Sequence, residues 1–248
     1  MKIPEDPNLR AVIVVLDRDD LNAARYDADA GETLLDREIA VAEYPPASED
    51  LVANMLAEQR MFRPGATLVQ SPFDTNVYIP AHDAAETFAQ DKYAIFLEVC
   101  QALGASRACV ARVDAESATA KASAELKGGP PVVSGELSAA RETVERFSRE
   151  LNWERTFHGG SPDIERAEAI LRQHHLWGDR PLRSLIRARG NENNNLKEDR
   201  LTVNLTKETE AKLDVAARVR LPRSKASGKV TMAKHERVSI EVTFHVTF

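Results

Sequence analysis

Three histidines and one aspartate in the same part of the sequence are of residue types that could support catalysis or metal binding. His174 and His175 precede Asp179 in the stretch RQHHLWGDRPLR, and His158 lies upstream in TFHGG. An imidazole can act as a general base or bind a metal ion when a carboxylate orients its ring. Adjacent residues on a helix, however, point about 100° apart, so His174 and His175 do not face a common ion. The HxxxH and HExxH spacings of helical metal sites are also absent. A hydrolase or metal enzyme built around these four residues is therefore an alternative hypothesis, and we expect no cofactor.

Two further groups of residues could bind ions. Gly159 and Gly160 come just before a predicted helix N-terminus, a position that can cradle an anion. They lack the spacing of a nucleotide-binding loop, and a turn with positive φ explains them equally well. Asp17, Asp19 and Asp20 follow the first predicted strand and could offer oxygen ligands to a divalent cation, or could be solvated loop charges.

The clearest concentration of positive charge lies in the stretch RPLRSLIRARG, in which arginines recur mostly three or four residues apart. The predicted binding residues are Arg180, Arg183, Arg187 and Arg189, with Arg166 and Arg172 upstream. Such a helical stripe can contact an acidic partner, a phosphate-rich ligand or an anionic membrane surface, although it can also be a solvated face. No aromatic residues are interleaved with these arginines, which argues against stacking on nucleic-acid bases. We expect Arg183 and Arg187 to share an exposed face.

Apolar periodicity predicts the elements that would position these residues. Spacings of three and four residues predict helices within 48–62, 83–104, 137–151, 161–176 and 180–190. Apolar or alternating runs predict strands within 9–17, 37–46, 66–70, 76–79 and 106–116. The polar segment 18–36 is expected to be a loop or a short exposed helix.

The C-terminal part of the chain alternates between apolar and polar residues over two long stretches, 201–221 and 229–248. The alternation predicts a long antiparallel hairpin with one wet face, whose other face packs on helices. The residues predicted to face those helices are Leu213, Val215, Val219, Val238, Ile240, Val242 and Phe244. The alternation continues to Phe248, the last residue of the sequence given. It leaves two alternatives for the final strand: an internal strand of the sheet, or an open edge that recruits a partner.

These elements predict one α+β domain over residues 1–248, with a mainly antiparallel sheet, long C-terminal hairpin strands and helices packed on one face. The middle, 48–190, is rich in helices, and 201–248 forms the hairpin. A net charge of −6 argues against a general nucleic-acid binder. The N-terminus has no apolar core of a signal peptide, and no window is apolar enough for a transmembrane helix, so we expect a cytoplasmic protein.

The absence of a legible catalytic motif favours a non-catalytic protein that binds another macromolecule or assembles with itself. A protein partner or self-association is expected, and no nucleic acid. The first alternative is a pore-forming or membrane-damaging effector that inserts the C-terminal hairpin, because each predicted strand exceeds the roughly 9–11 residues needed to cross a bilayer. A membrane partner is less favoured, since Lys207, Lys234 and Glu236 interrupt the apolar face.

Overall fold

The computed structural model describes residues 3–117, 154–191, 196–221 and 238–248. In chain order the elements are β1 (Val12–Asp17), α1 (Arg18–Tyr26), α2 (Ala28–Leu35), β2 (Ile39–Tyr44), α3 (Leu51–Glu58), β3 (Thr67–Gln70), β4 (Tyr78–Pro80), α4 (Ala84–Ala102), β5 (Arg107–Ser117), β6 (Glu154–Thr156), α5 (Ile164–Gln173), α6 (Arg180–Arg189), β7 (Glu198–Asn204), α7 (Lys207–Arg218) and β8 (Val238–Thr247). The described residues thus form an α+β protein with two four-stranded sheets.

The chain divides into two compact units. The first lies within Met1–Ala85 and Glu208–His235, and the second within Glu86–Lys207 and Glu236–Phe248. The single domain expected from chain length remains a prediction.

The first unit contains a mixed sheet in the order β2-β1-β3-β4. β1 runs parallel to β2 and antiparallel to β3, which is antiparallel to β4. The five residues Val12 to Leu16 of β1 are all buried, as is typical of a strand covered on both faces. The expectation of a loop or one short helix after β1 was wrong, because α1 and α2 form the crossover that two parallel strands require. Asp17 and Asp27 cap these helices by accepting backbone N–H bonds from Asp20 and Ala30.

The second unit contains an antiparallel sheet in the order β6-β5-β8-β7. The C-terminal strand β8 is therefore internal, with β5 on one side and β7 on the other. Its alternate residues Ile240, Val242, Phe244 and Val246 are buried. The Phe244 ring stacks on Phe96 of α4, with ring centroids 4.2 Å apart, so this face packs on a helix as predicted.

The predicted strand over 201–221 was wrong beyond Asn204. β7 is 7 residues long and pairs with the end of β8, and residues Lys207–Arg218 form α7 instead. Two patterns coincide in this segment: Leu213 and Val215 alternate, but Thr209, Leu213 and Ala216 also lie on one buried helical face. Glu208 and Glu210 in the first turn and Arg218 in the last stabilise the helix through its dipole.

β7 and β8 pair antiparallel but do not form a direct hairpin, because α7 intervenes between them in the chain. The first of the two strands on which the pore-forming alternative was based is 7 residues long, and that alternative stays a prediction. The predicted helix 137–151 and the first part of the predicted strand 229–248 lie outside the described residues.

Candidate functional site

Helices α5 and α6 and the tight turn between them place the arginines of the second unit. Asp163 caps α5 by accepting from the Arg166 N–H at 2.9 Å, and Asp179 caps α6 by accepting from the Leu182 N–H at 3.1 Å. Between them the backbone turns at His175, whose φ is 58°. The buried residues Leu171, Leu176, Leu182, Leu185 and Ile186 fix this segment to the core. The apolar faces of α5 and α6 therefore pack on the core, and their polar faces, which carry the arginines, point away from it.

Trp177 lies in this turn and is 38% exposed. The guanidinium carbon of Arg172, from the end of α5, is 4.3 Å from the centroid of its indole ring. The guanidinium carbon of Arg183, from α6, is 5.0 Å from the same centroid. Cations at this distance from an indole are attracted by its π electrons, which holds both side chains near the ring. Arg172 also forms an ion pair with Glu168 at 2.7 Å.

Arg180 and Arg187 are exposed on α6. Because Arg180, Arg183 and Arg187 lie three and four residues apart, they share one side of the helix. We call the set Arg172, Trp177, Arg180, Arg183 and Arg187 the arginine–tryptophan surface. The sequence did not indicate a role for Trp177. Its ring contacts Arg172 and Arg183 because the turn between α5 and α6 brings the two helices together around it.

Arg189 does not belong to this surface, although the sequence predicted it as a binding residue. It is buried, and its guanidinium donates to the carbonyl oxygens of Leu103 at 3.1 Å, Leu196 at 2.9 Å and Gly160 at 3.4 Å. The guanidinium carbon also lies 4.7 Å from the centroid of the Phe248 ring. Arg189 therefore has a structural role inside the second unit, where it binds three backbone carbonyl oxygens and contacts the Phe248 ring.

Asp179, the carboxylate of the proposed catalytic cluster, takes part in a buried ion pair. Its Oδ2 lies 2.8 Å from Nζ of Lys92, and the two side chains are 5% and 0% exposed. Lys92 Nζ also donates to the carbonyl oxygen of Asn204 at 2.7 Å. The sequence carried a signal for this lysine, because Lys92 lies four residues after Phe88 and four before Phe96, on the apolar face of α4.

The three histidines have different surroundings. His174 ends α5 and is partly buried, whereas His158 and His175 are exposed. Asp91 interacts electrostatically with His174: burial raises the pKa of the Asp91 carboxyl, and the interaction with His174 partly offsets that rise. Among the described residues there is no group of three His, Cys, Asp or Glu that could hold a metal ion.

Gly159 and Gly160 have positive φ, 69° and 148°. The carbonyl oxygen of Gly160 lies close to the chain at Gly104, where a Cβ atom would come within 2.2 Å of it. Close packing of two backbone segments therefore accounts for the glycine at position 104. At position 160 a Cβ atom would meet nothing within 4 Å, and the positive φ accounts for the glycine. Asp17, the first residue of the acidic group, ends β1, and its side chain caps α1 by accepting the Asp20 N–H.

In the part of the chain that the structure describes, no helix is both long enough and apolar enough to cross a membrane. No family model, no curated protein and no solved structure matches this chain.

Proposed function

We propose that this protein is a non-catalytic binding protein that recognises an acidic segment of a protein partner through the arginine–tryptophan surface. The observation that carries the proposal is the exposed Trp177 ring, with guanidinium groups at 4.3 and 5.0 Å from its centroid. Tryptophan and arginine are enriched among the residues that dominate binding energy in protein interfaces.

The positions of the arginines favour carboxylates as the partner groups. Guanidinium groups can pair with carboxylates through two parallel hydrogen bonds. The contacts with the indole restrict the side chains of Arg172 and Arg183 before binding, although a partner carboxylate at Arg172 would share it with Glu168. Such ordering reduces the side-chain entropy lost on association.

The net charge of the whole chain favours a short acidic segment over a long polyanion. A charge of −6 repels nucleic acids and anionic membranes, whereas a short segment meets only the local positive field. The contacts of the indole with two guanidiniums also favour carboxylate pairing over base stacking.

Charge reversal at Arg183 and Arg187 tests this proposal. The probe is a fluorescein-labelled peptide rich in glutamate and aspartate, and its fluorescence anisotropy is measured during titration with the protein. We expect the double variant Arg183→Glu/Arg187→Glu to bind at least about tenfold more weakly, because like charges replace the ion pairs. Its free energy of unfolding should fall by about 1 kcal/mol or less, because the Arg183–Trp177 contact is lost while Arg187 is exposed.

The matched control is Arg25→Glu/Arg37→Glu, which changes the net charge equally at two exposed arginines of the first unit. It should bind the peptide like the wild type. If both double variants bound the peptide equally weakly, the loss would come from the overall charge of the protein and not from this surface, and the proposal would be overturned. A large loss of stability in Arg183→Glu/Arg187→Glu would instead identify these arginines as internal ion-pair partners.

Two further titrations separate the classes of partner. A single-stranded oligonucleotide and vesicles containing phosphatidylserine replace the peptide under the same salt conditions. The proposal predicts weaker binding to both than to the acidic peptide. Tighter binding to either polyanion, lost in the same double variant, would assign the surface to that ligand instead.

A further inference from the structure

A carboxylate of the protein itself already occupies one guanidinium of the arginine–tryptophan surface. Oε2 of Glu168 lies 2.7 Å from Nη2 of Arg172, which donates a charge-assisted hydrogen bond to it. The two residues are four positions apart on α5, with the acid nearer the N-terminus of the helix, an order that favours such pairs. Both groups belong to one helix, so the pair is made before any partner is bound.

Arg183 lies against the same indole, but it has no carboxylate partner among the residues that the structure describes. Its side chain is partly buried, whereas Arg172 is exposed. Water screens a charge pair less where the cation is partly buried. A carboxylate that arrives at Arg183 also displaces no other carboxylate. Arg183 therefore offers an acidic partner a stronger contact than Arg172 does.

Glu168 also offsets the repulsion between the two guanidiniums that share the ring of Trp177. Their carbon atoms lie 4.3 and 5.0 Å from its centroid, and two positive charges close to one ring repel each other. The carboxylate neutralises one of these charges, which stabilises the free surface. It also lowers the positive field that an acidic segment meets. The stability of the free surface and its affinity for carboxylates are therefore opposed at Glu168.

We propose that Glu168 is an internal competitor of the acidic partner, which occupies Arg172 in the free protein and leaves Arg183 as the anchor for the partner's carboxylate. The inference rests on the proposed function of the surface and adds which of its arginines sets the affinity. An ion pair between exposed groups shifts an equilibrium by less than about fivefold. Glu168 therefore lowers the affinity of the surface without abolishing binding.

The test compares Glu168→Gln with Glu165→Gln, which removes the same charge from an exposed acid of the same helix. Glu165 is followed four residues later by alanine and not by arginine. Binding of the fluorescein-labelled acidic peptide is measured by fluorescence anisotropy at one salt concentration. We expect Glu168→Gln to bind the peptide at least about threefold more tightly than Glu165→Gln, because Arg172 becomes available to a second carboxylate.

The same pair of variants in an Arg172→Gln background shows whether the gain depends on Arg172. There Glu168→Gln and Glu165→Gln should bind the peptide equally, because no guanidinium remains to be released. The single variants Arg183→Gln and Arg172→Gln each remove one cation from the ring of Trp177. We expect Arg183→Gln to weaken binding more than Arg172→Gln does.

The proposal is overturned if Glu168→Gln binds no more tightly than Glu165→Gln, or if its gain persists without Arg172. Weaker binding by Glu168→Gln would show that the pair only holds the surface in shape, and equal losses in Arg183→Gln and Arg172→Gln would remove Arg183 as the anchor. If Arg183→Glu/Arg187→Glu still weakens binding in these cases, the proposed function stands and this inference alone fails. A wild-type protein that does not bind the peptide would overturn both.

Discussion

Burial and contacts, more than residue type, give each charged side chain its role in this protein. Arg187 and Arg189 are two residues apart, and a helix turns such residues about 200° from each other. Arg187 is therefore exposed, while Arg189 is buried against three carbonyl oxygens. Asp163 and Asp179 both cap helices, but only Asp179 also pairs with a buried ammonium group.

The first prediction at this scale separates the ion pair of Asp179 from its capping role. Asparagine at position 179 can still accept the Leu182 N–H, but it removes the carboxylate charge that lies 2.8 Å from the buried Lys92 Nζ. We expect Asp179→Asn to lower the free energy of unfolding by about 3 kcal/mol, measured by urea denaturation. The same exchange at the exposed cap, Asp163→Asn, should cost about 0.5 kcal/mol or less. Similar losses in the two variants would show that the buried pair contributes no net stability.

At the scale of elements, alternation predicts a strand only where one face is covered by other elements. In β8, Ile240, Val242, Phe244 and Val246 are buried, while Glu241 is exposed and Thr243 partly so. The side-chain hydroxyls of Thr243 and Thr202 lie 2.9 Å apart on the other face of the sheet. The two faces of one strand therefore differ sharply in their tolerance of charge.

Adjacent aspartate substitutions in β8 measure this difference. Val242→Asp buries a carboxylate beneath the helices and should cost several kcal/mol, which is a large part of the stability of a domain. Thr243→Asp places the same group on the polar face and should cost about 1 kcal/mol, mainly the lost hydrogen bond to Thr202. Circular dichroism melting and the soluble yield of each variant are the measurements. Equal effects of the two substitutions would contradict the assigned faces of β8.

At the scale of the whole molecule, the second unit is assembled from distant parts of the sequence. Residues 241–247 lie between β5 and β7 in its sheet, so this last strand completes a core that begins in α4. Phe244 stacks on Phe96 and, at 5.6 Å between ring centroids, on Tyr93. The backbone groups of β8 are paired on both sides over much of its length.

Deletion of residues 243–248 should make the protein insoluble. The deletion removes Phe244 and Val246 from the core, at about 1.5–3 kcal/mol for each fully buried large side chain. It also removes the part of β8 that pairs with Glu198–Thr202 of β7 and with Arg107–Arg112 of β5. That loss is comparable to the roughly 5–15 kcal/mol that stabilises a whole domain. The measurement is the soluble fraction after expression. The control, Thr243→Ala/His245→Ala, changes the polar face alone and should stay soluble; a truncated chain that melts cooperatively would contradict an internal β8.

The sequence by itself determined the α+β class, the buried strand β1, the long helix α4 and the alternating strand β8. In these segments the apolar period persists over several turns or strand residues and only one pattern fits. It also located the arginine stripe, because the i, i+3 and i+4 spacing of Arg180, Arg183 and Arg187 is a property of the helix alone.

Only the tertiary structure decided between patterns that coincide in short segments, such as the strand and helix periods over 207–218. It likewise decided which arginine is buried, that Trp177 lies against Arg172 and Arg183, and that Lys92 meets Asp179, 87 positions later in the chain. The physical reason is that local periodicity records the shape of one element. The burial and ion pairing of a side chain depend on which distant elements cover it.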